Sequence, residues 1–371
     1  MITLAIDGFG GPKGNKPIGN AGQDYPKLFY YLKEQKVDVQ VMPTNEALHT
    51  AWYPIHIKWF DLTVDYLALV NPIAIEKGMK IVFLYHEADN PEHISERLAY
   101  MSIKHKHDNI AFISGNSAAT QHPFMYYWPE IEYRFQQQND FAKAAQKHLN
   151  ARTRRFMALC RIDKLWRKMF MSELWKNNFH KDNYFSYLQE QLGEHEDPGP
   201  LSDKLVEQYS GQVMDFIKAG PFRADDVTSD EANDFTIQPV EMYTDSYINI
   251  VLETFIDVDT SGGQFITEKT FKPIMHNQMF ICMAEHHHLK HLRELGYQTF
   301  DGIINESYDN IEDTELRFEA VLKLIKEINL MPMETVHELY RMSQDIIEHN
   351  SKLLQSDLTI RAKQVLDLLS K

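Results

Sequence analysis

The residues best suited to chemistry are Thr267, Glu268 and Lys269, three consecutive polar residues that follow a glycine-containing loop in the second half of the chain. Threonine is a good N-cap, so the pattern predicts a helix that begins after Thr267, with Glu268 and Lys269 in its first turn. A helix N-terminus presents N–H groups and a positive dipole end, and Lys269 adds a full charge. Such a site can hold a diphosphate, while Glu268 can accept the two hydroxyls of a ribose. In a plainer interpretation, Glu268 only complements the helix dipole and Lys269 is solvated.

A second signal is the uneven distribution of charge. The chain has 38 basic and 53 acidic residues, of which residues 1–150 hold 14 and 16, so most of the net charge of −15 lies in residues 151–371. Because a surface that grips nucleic acid should be basic, the second half is a poor general nucleic-acid surface. Residues 147–168 run against this trend, with a single acidic residue, Asp163. We interpret them as a focused site for a small phosphorylated ligand, with a solvated helix face as the alternative. Their basic residues are Lys147, Arg152, Arg154, Arg155, Arg161, Lys164, Arg167 and Lys168.

The elements that must position these residues follow from the apolar pattern. Strand-like runs alternate twice with helix-compatible segments, which is typical of an α/β protein with parallel sheets. The predicted strands are residues 2–6, 37–41, 80–85, 109–113, 155–161, 247–255 and 279–283. The predicted helices are residues 61–76, 92–104, 164–177, 287–295 and 315–330, one beginning near Glu268, and amphipathic helices within 334–371. Residues 193–245 are rich in Pro, Asp and Glu and are interpreted as an acidic excursion.

The start of the chain and its cysteines indicate the compartment. Six glycines within the first 22 residues follow strand 2–6 without the spacing of a dinucleotide or Walker loop, and we expect a ligand-facing loop there. The sequence has no run of eighteen apolar residues, and its first seven residues read as a strand rather than a signal peptide. Cys160 and Cys282 each lie in an apolar run, so two buried thiols are expected. We therefore expect a cytoplasmic protein without a transmembrane segment.

Residues 265–271, FITEKTF, resemble the Y-x-T-E-K-L-W signature of glycosyltransferase family 10, the fucosyltransferases. In that family a strand ending in an F-E-N-like motif lies just upstream, and residues 252–254, LET, occupy that place here. Residues 156–167, 289–300 and 305–309 also resemble family-10-like proteins of tailed bacteriophages and bacteria. The resemblance covers roughly residues 155–330. Thr254 stands where the family usually has Asn, and residues 285–288, EHHH, replace a glycine-rich turn.

The resemblance implies a GT-B fold, meaning two Rossmann-like domains facing across a cleft. It implies that Glu268 binds the ribose of a nucleotide sugar, that Lys269 binds its diphosphate, and that Glu253 faces the sugar or shapes its pocket. Arg161, with Arg167 as a possible second, would be the upstream cation on the phosphates. Together with the basic cluster, this gives as predicted donor-binding residues Arg161, Lys164, Arg167, Glu253, Thr267, Glu268 and Lys269.

An inverting transfer also needs a general base for the acceptor hydroxyl, and we expect it on a loop of the first domain that follows a strand. Strand 80–85 is followed by His86, Glu87 and Asp89. Glu87 is the first candidate, Asp89 and His86 are rivals, and Asp7 at the end of the first strand is a fourth. For each of them a turn or capping role is the alternative. No metal is expected, because cations and a helix N-terminus would stabilise the leaving diphosphate.

These observations lead to one predicted organisation. Residues 1–150 are predicted to form an N-terminal Rossmann-like acceptor domain, residues 151–333 a nucleotide-sugar donor domain, and residues 334–371 C-terminal helices that return toward the first domain. The predicted function is inverting, metal-independent transfer of a hexose or pentose from a nucleoside diphosphate sugar, without a further cofactor. The acceptor would be a glycan hydroxyl or, if the protein is phage-encoded and works in a host cytoplasm, a hydroxymethylated DNA base. The alternative is a non-catalytic sugar-nucleotide-binding module.

Overall fold

The fold was analysed in a computed structural model, which describes residues 2–7, 18–19, 32, 37–57, 60–85, 90–136, 151–161, 164–187, 201–224, 239–257, 263, 265–356, 358 and 360–370. The strands are β1 Ile2–Ile6, β2 Ile18–Gly19, β3 Val39–Pro43, β4 Trp52–Ile57, β5 Lys80–Tyr85, β6 Ile110–Ser114, β7 Met125–Tyr127, β8 Arg154–Cys160, β9 Tyr184–Tyr187, β10 Ser246–Leu252 and β11 Met279–Met283. The helices are α1 Pro72–Glu76, α2 Pro91–His105, α3 Glu130–Gln136, α4 Leu165–Lys176, α5 Phe179–Asp182, α6 Asp203–Ala219, α7 Val240–Asp245, α8 Glu268–Met275, α9 His288–Glu294, α10 Thr314–Asn329, α11 Met333–Met342, α12 Gln344–Gln355 and α13 Lys363–Leu369.

The strands form two sheets, and the α/β fold class with parallel sheets is confirmed. The first sheet has the order β3-β1-β4-β5-β6-β7, all parallel, and β2 pairs antiparallel with β4. The second sheet has the order β11-β10-β8-β9, again parallel throughout. Strands β6, β10 and β11 are buried at every position, as expected when both faces of a parallel sheet are covered.

Contacts divide the described residues into two compact units. The first unit draws on residues 1–130, 259–265 and 357–371, and the second on residues 131–258 and 266–356. Helix α13 therefore belongs to the first unit, whereas α11 and α12 belong to the second. The predicted domain boundary at 150 lies in residues 137–150, outside the described residues. The roles given to the domains stay predictions.

The strand order of the first sheet creates a switch point. The chain passes from β1 outward to β3 and then returns to the other side of β1 to form β4. In open α/β sheets, ligands bind outside the carboxyl ends of the strands where the order reverses in this way. Asp7 follows the last residue of β1, so it lies at this switch point.

Several predicted elements are confirmed with shifts of one or two residues. Strand β11 spans the predicted residues, and α2, α4, α9 and α10 begin and end within about one residue of the prediction. The interpretation of residues 193–245 as an excursion is wrong for α6, because its apolar face packs Leu205, Val213 and Phe216 into the core of the second unit. One helix over 61–76 is also wrong: a 3₁₀ turn, Tyr66–Leu69, and α1 stand there. The predicted N-terminal glycine loop lies outside the described residues. Both cysteines are buried thiols, as predicted.

Candidate functional site

The candidate site lies at the carboxyl edge of the second sheet, where the strands bring together residues that are distant in sequence. Arg161 directly follows β8 and Glu253 directly follows β10, and these two strands are parallel neighbours. The loop after β10 leads to α8. Of the basic cluster, Arg161 and Lys164 follow the carboxyl end of β8. Arg152 precedes β8 and is buried, with its guanidinium bonded to the carbonyls of Tyr243, Ser246 and Asn277, and Arg155 donates to the Met331 carbonyl, so neither is placed at this edge.

The beginning of α8 at Thr267 is confirmed. Thr267 has the extended backbone of an N-cap, and its Oγ1 accepts a hydrogen bond of 3.3 Å from the N–H of Lys269. Glu268 and Lys269 occupy the first turn, and Pro273 lies in this eight-residue helix, which is short as predicted. The positive dipole end of α8 therefore faces the same loop as the side chain of Lys269.

A buried carboxylate holds the start of this helix. Glu253 is 2% exposed, and its oxygens accept hydrogen bonds from the hydroxyls of Thr267 (2.5 Å) and Thr270 (2.7 Å). The N–H groups of Thr254 and Thr267 donate to the same carboxylate at 3.1 and 3.3 Å. A buried charge is costly unless it is hydrogen-bonded, and this one is satisfied from four directions. Glu253 thus shapes the loop, and its burial argues against direct contact with a sugar.

His288 supports this carboxylate indirectly, through a hydrogen bond to Thr270. The buried ring of His288 places Nε2 3.1 Å from the Thr270 hydroxyl. Because Thr270 donates its single hydrogen to Glu253, we assign the N–H of His288 Nε2 as the donor to Thr270. Burial lowers the pKa of His288, although the charges of Glu253 and Asp309 oppose this. The neutral imidazole therefore completes a hydrogen-bonded chain from α9 to the start of α8.

Two lysine side chains converge on Thr254. The Nζ of Lys164 donates to the Thr254 carbonyl at 2.8 Å, and the Nζ of Lys269 donates to the Thr254 hydroxyl at 3.0 Å. Lys269 also lies 3.2 Å from Thr267 Oγ1 and 3.2 Å from Glu268 Oε1. Two positive charges from different parts of the chain therefore meet beside the N-terminus of α8, and Lys269 is still 26% exposed.

Glu268 remains ionised in this setting. Burial alone would raise the pKa of its carboxyl, but the charges of Lys269 and Lys272 and the hydrogen bond from Lys269 lower it to about 2. Its side chain is 24% exposed, so the oxygens can still meet a ligand. A charged acceptor next to two lysines is the arrangement that the ribose prediction for Glu268 requires.

Arg167 differs from its prediction as an additional phosphate-binding cation. The side chain is 3% exposed, and its Nη2 donates to the carbonyls of Leu252 (3.2 Å) and Glu253 (2.6 Å). These bonds anchor the end of β10, and the burial argues against a phosphate contact. Spacing alone did not reveal this, because Arg167 lies on the inner face of α4 whereas Lys164 precedes the helix.

In the first unit, the structure describes one of the candidate bases. Asp7 accepts hydrogen bonds from Thr44 Oγ1 at 2.8 Å, from Asn71 Nδ2 at 2.6 Å and from the hydroxyl of Tyr53. His86, Glu87 and Asp89 lie outside the described residues. Sequence reasoning missed the three partners of Asp7. Only Asn71 had a signal, because Asn followed by Pro72 is typical of a helix N-cap.

Among the described residues, no group of three His, Cys, Asp or Glu side chains is placed to hold a metal ion. Within the same described part of the chain, no helix combines the length and apolar character needed to cross a bilayer.

The fold and site define a two-unit α/β protein with a cationic edge on its second sheet. No protein-family model matches the chain, so the resemblance to family 10 is not confirmed. The search of curated proteins also gave no match.

Among solved structures, three bacterial synthases are similar. A UDP-forming α,α-trehalose-phosphate synthase of Burkholderia vietnamiensis matches with a TM-score of 0.41 and 11% identity over 95% of this chain and 81% of its own. The corresponding synthase of Burkholderia xenovorans has a TM-score of 0.44 and 9% identity, over 95% and 80%. The α,α-trehalose 6-phosphate synthase of Burkholderia multivorans has 0.42 and 10%, over 88% and 72%. TM-scores below 0.5 do not establish a shared fold.

Proposed function

We propose that the protein is a glycosyltransferase that binds a nucleoside diphosphate sugar at the carboxyl edge of the second sheet and transfers the sugar to an acceptor hydroxyl. The observation that carries this proposal is the convergence of Lys164 and Lys269 on Thr254 beside the N-terminus of α8. Two ammonium groups and a helix dipole end are together suited to a diphosphate.

Each part of the donor has a group suited to it. Under this proposal the diphosphate lies against Lys269 and the N–H groups of α8, with Lys164 and Arg161 as further cations. The ionised Glu268 accepts the ribose hydroxyls. Glu253 and Thr267 hold the helix start in place and do not touch the donor. Loss of the nucleoside diphosphate leaves negative charge on its oxygens, and fixed positive groups at that point stabilise it as it develops.

The finer features of the reaction belong to the same proposal. We infer a GT-B fold, inverting stereochemistry without a metal ion, and a family-10-like donor site. The general base comes from Glu87, Asp89 or Asp7 of the first unit. Of the two predicted acceptors, a glycan hydroxyl is favoured over a hydroxymethylated DNA base. A flipped base needs cations for the flanking phosphates, and the residues that bond to Asp7, namely Thr44, Tyr53 and Asn71, are uncharged.

The test is donor binding to the full chain, measured by calorimetry with UDP, GDP, ADP and TDP and their sugars. We expect one nucleoside diphosphate to bind, and Lys269→Ala and Lys164→Ala each to weaken it roughly 10- to 100-fold, as expected when one charge-assisted hydrogen bond is lost. Lys323→Ala is the matched control, because this lysine is 78% exposed on α10 and pairs only with Glu327 in the described structure. Unchanged affinity in both site variants would refute the donor site.

A second measurement separates the enzyme from the binding module. Donor is incubated with and without glycan acceptors in the presence of EDTA, and release of the nucleoside diphosphate is followed. Turnover supports the transferase and its metal independence. Tight binding without release under any condition indicates the non-catalytic module.

A further inference from the structure

A cavity of about 260 Å³ lies in the first unit, at the carboxyl ends of β1 and β3. Its polar residues are Asp7, Thr44, Asn45 and Asn71, and apolar side chains, among them Val41 and Ile73, line the rest. Drug-sized ligands occupy sites of about 300–1,000 Å³. This cavity is therefore of a size for one small ring rather than an extended ligand.

The carboxylate of Asp7 is oriented by the residues around it. Its Oδ1 accepts hydrogen bonds from Thr44 and Asn71, and its Oδ2 accepts one from the hydroxyl of Tyr53. Thr44 is buried, and Asn71 is itself fixed because its Oδ1 caps α1 through the N–H of Ile73. An ionised carboxylate has about four acceptor positions. The three bonds leave one position, on Oδ2, for a donor from a ligand, and Asp7 is exposed to receive it.

The charge of the cavity selects against phosphate. The described residues that line it include no Lys, Arg or His. The Nζ of Lys77 donates to the carbonyls of Thr44, Asn45 and Ala47 at 3.3, 2.8 and 2.9 Å, so its hydrogens are used within the protein. A phosphate placed beside Asp7 would meet its carboxylate, and the described lining offers no cationic side chain to offset the repulsion.

The chemistry of the lining indicates the ligand. A sugar ring offers hydroxyl donors at its edge and C–H groups on its faces, which match one carboxylate position and an apolar wall. The cavity lies at the switch point of the first sheet, which is the position at which open α/β sheets bind ligands. We propose that this cavity binds an uncharged, hydroxyl-bearing ring of monosaccharide size, one hydroxyl of which donates to Asp7.

The assignment of a role to this ring rests on the proposed function. Under that function the bound ring is the acceptor, so the acceptor is an unphosphorylated sugar. This deepens that function, since it names the acceptor by its charge and size. It also gives Asp7 a role in acceptor affinity that is separate from the role of a general base.

The experiment is a titration of the full chain with D-glucose, D-galactose and D-mannose and with their 6-phosphates. Binding is monitored by saturation-transfer NMR in the absence of any nucleotide. We expect at least one free hexose to bind and its 6-phosphate to bind no more tightly. Asp7→Asn should weaken the hexose roughly 10- to 100-fold, the range for a charge-assisted hydrogen bond. Asp38→Asn, an exposed carboxylate that precedes β3 in the same unit, should have no effect.

A second variant tests the same cavity independently of whether the Asp7→Asn chain folds correctly. Ile73→Trp adds bulk at the cavity wall and leaves the bonds of Asp7 in place, and it should also abolish hexose binding. Both variants are checked by thermal unfolding against the parent chain.

The outcomes divide clearly. Absence of any Asp7-dependent binding of the three hexoses overturns the inference. Binding of a 6-phosphate at least tenfold more tightly, or binding of D-glucosamine with no binding of free hexoses, also overturns it in favour of an anionic or ammonium ligand. Nucleoside diphosphate binding is measured on the same preparations. Hexose binding can fail while nucleotide binding persists, or the reverse, so failure of this inference is distinguishable from failure of the donor site.

Discussion

Glu253 carries a charge at a position where water has almost no access, and its neighbours make this possible. Two threonine hydroxyls and two backbone N–H groups replace the lost hydration. Removing one such hydroxyl leaves a buried charge partly unpaired, which costs more than the bond itself contributes. Thr267 and Thr270 are therefore as important to the site as the lysines, although neither is proposed to touch the ligand.

Glu306 is a second buried carboxyl, with a different consequence. Burial raises its pKa to about 7, and the hydrogen bonds from Thr299 and the N–H of Phe300 only partly oppose this. Because its pKa in the folded chain exceeds the ordinary value of 4.5, the neutral form favours folding. This contribution is complete below about pH 4.5 and is lost as the pH rises through 7.

We therefore predict that Glu306 lowers the free energy of unfolding by up to about 3 kcal/mol between pH 5 and pH 8. Glu306→Gln keeps an acceptor for Phe300 and removes the titration, so its stability should fall less over this range. Urea unfolding of both proteins at pH 5, 6, 7 and 8 measures the difference. Parallel pH profiles would contradict the prediction.

The general base can be identified by substituting single residues. Glu87→Gln keeps the volume and removes the proton acceptor, so we predict a fall in kcat of roughly 10²–10⁴-fold with unchanged donor affinity. Asp89→Asn should do less. Asp7→Asn should mainly raise the KM for the acceptor. Initial rates with a chosen glycan, alongside calorimetry with the donor, make the comparison. A collapse of kcat in the Asp7 or Asp89 variant alone would transfer the role to that residue, and normal turnover in all three would direct the test to His86.

At the scale of elements, α8 is the part of the site whose stability can be tested most directly. Thr267 caps the helix and also donates to Glu253. Loss of a cap costs about 1 kcal/mol and an unpaired buried acceptor a further 1–3 kcal/mol. We predict that Thr267→Ala destabilises the chain by about 2–4 kcal/mol and weakens donor binding, because the helix start is no longer held.

Thr267→Ser retains the hydroxyl and should restore most of both properties. Thr335→Ala, at an exposed position of α11, is the control for removal of a threonine side chain. Denaturant unfolding and calorimetry measure the two effects. A Thr267→Ser variant as impaired as Thr267→Ala would show that the methyl group, rather than the hydroxyl, matters.

The same elements show what the sequence could predict. The start of α8 and the whole of β11 were predictable, because a cap residue and an apolar run are local signals. Strand β4 was missed because Pro54 lies inside it, and proline normally argues against a central strand. Neighbouring β1 pairs with β4 only at Trp52, so the missing N–H of Pro54 breaks no bond to β1.

The candidate site was predictable to a similar degree. Lys269 and Lys164 were identified from residue type, but their meeting at Thr254 depends on a loop and a neighbouring strand that sequence spacing does not fix. Arg167 was misassigned as a ligand cation for the same reason. Asp7 is held by the Tyr53 hydroxyl from β4, the Thr44 hydroxyl from the loop after β3 and the Asn71 amide from the start of α1, and only the tertiary fold brings them together.

At the scale of the molecule, the first unit is built from both ends of the chain. Helix α13 contacts β7, its Val365 and Leu369 are buried, and the Leu369 carbonyl accepts a hydrogen bond from the indole of Trp52 in β4 at 3.2 Å. The last residues are therefore part of the sheet's covering layer. Their removal should act on the first unit alone.

We predict that a chain ending at residue 356 exposes β4 and β7 while the second sheet stays intact. Hydrogen exchange measured by mass spectrometry should speed up at least tenfold in peptides covering 52–57 and 125–127, where the covering helix is lost. Peptides from β10 and β11 should be unchanged and serve as the internal control. Equal protection of the first sheet in both chains would show that α13 contributes nothing to it.

The position of α13 also has a consequence for synthesis on the ribosome. The strands that it covers are complete once β7 has emerged, but α13 itself is made more than two hundred residues later. At about 5–20 residues per second this interval lasts roughly 10–50 s. Throughout that time the nascent first sheet lacks the helix that covers the region around Trp52, and its folding can finish only after α13 has emerged.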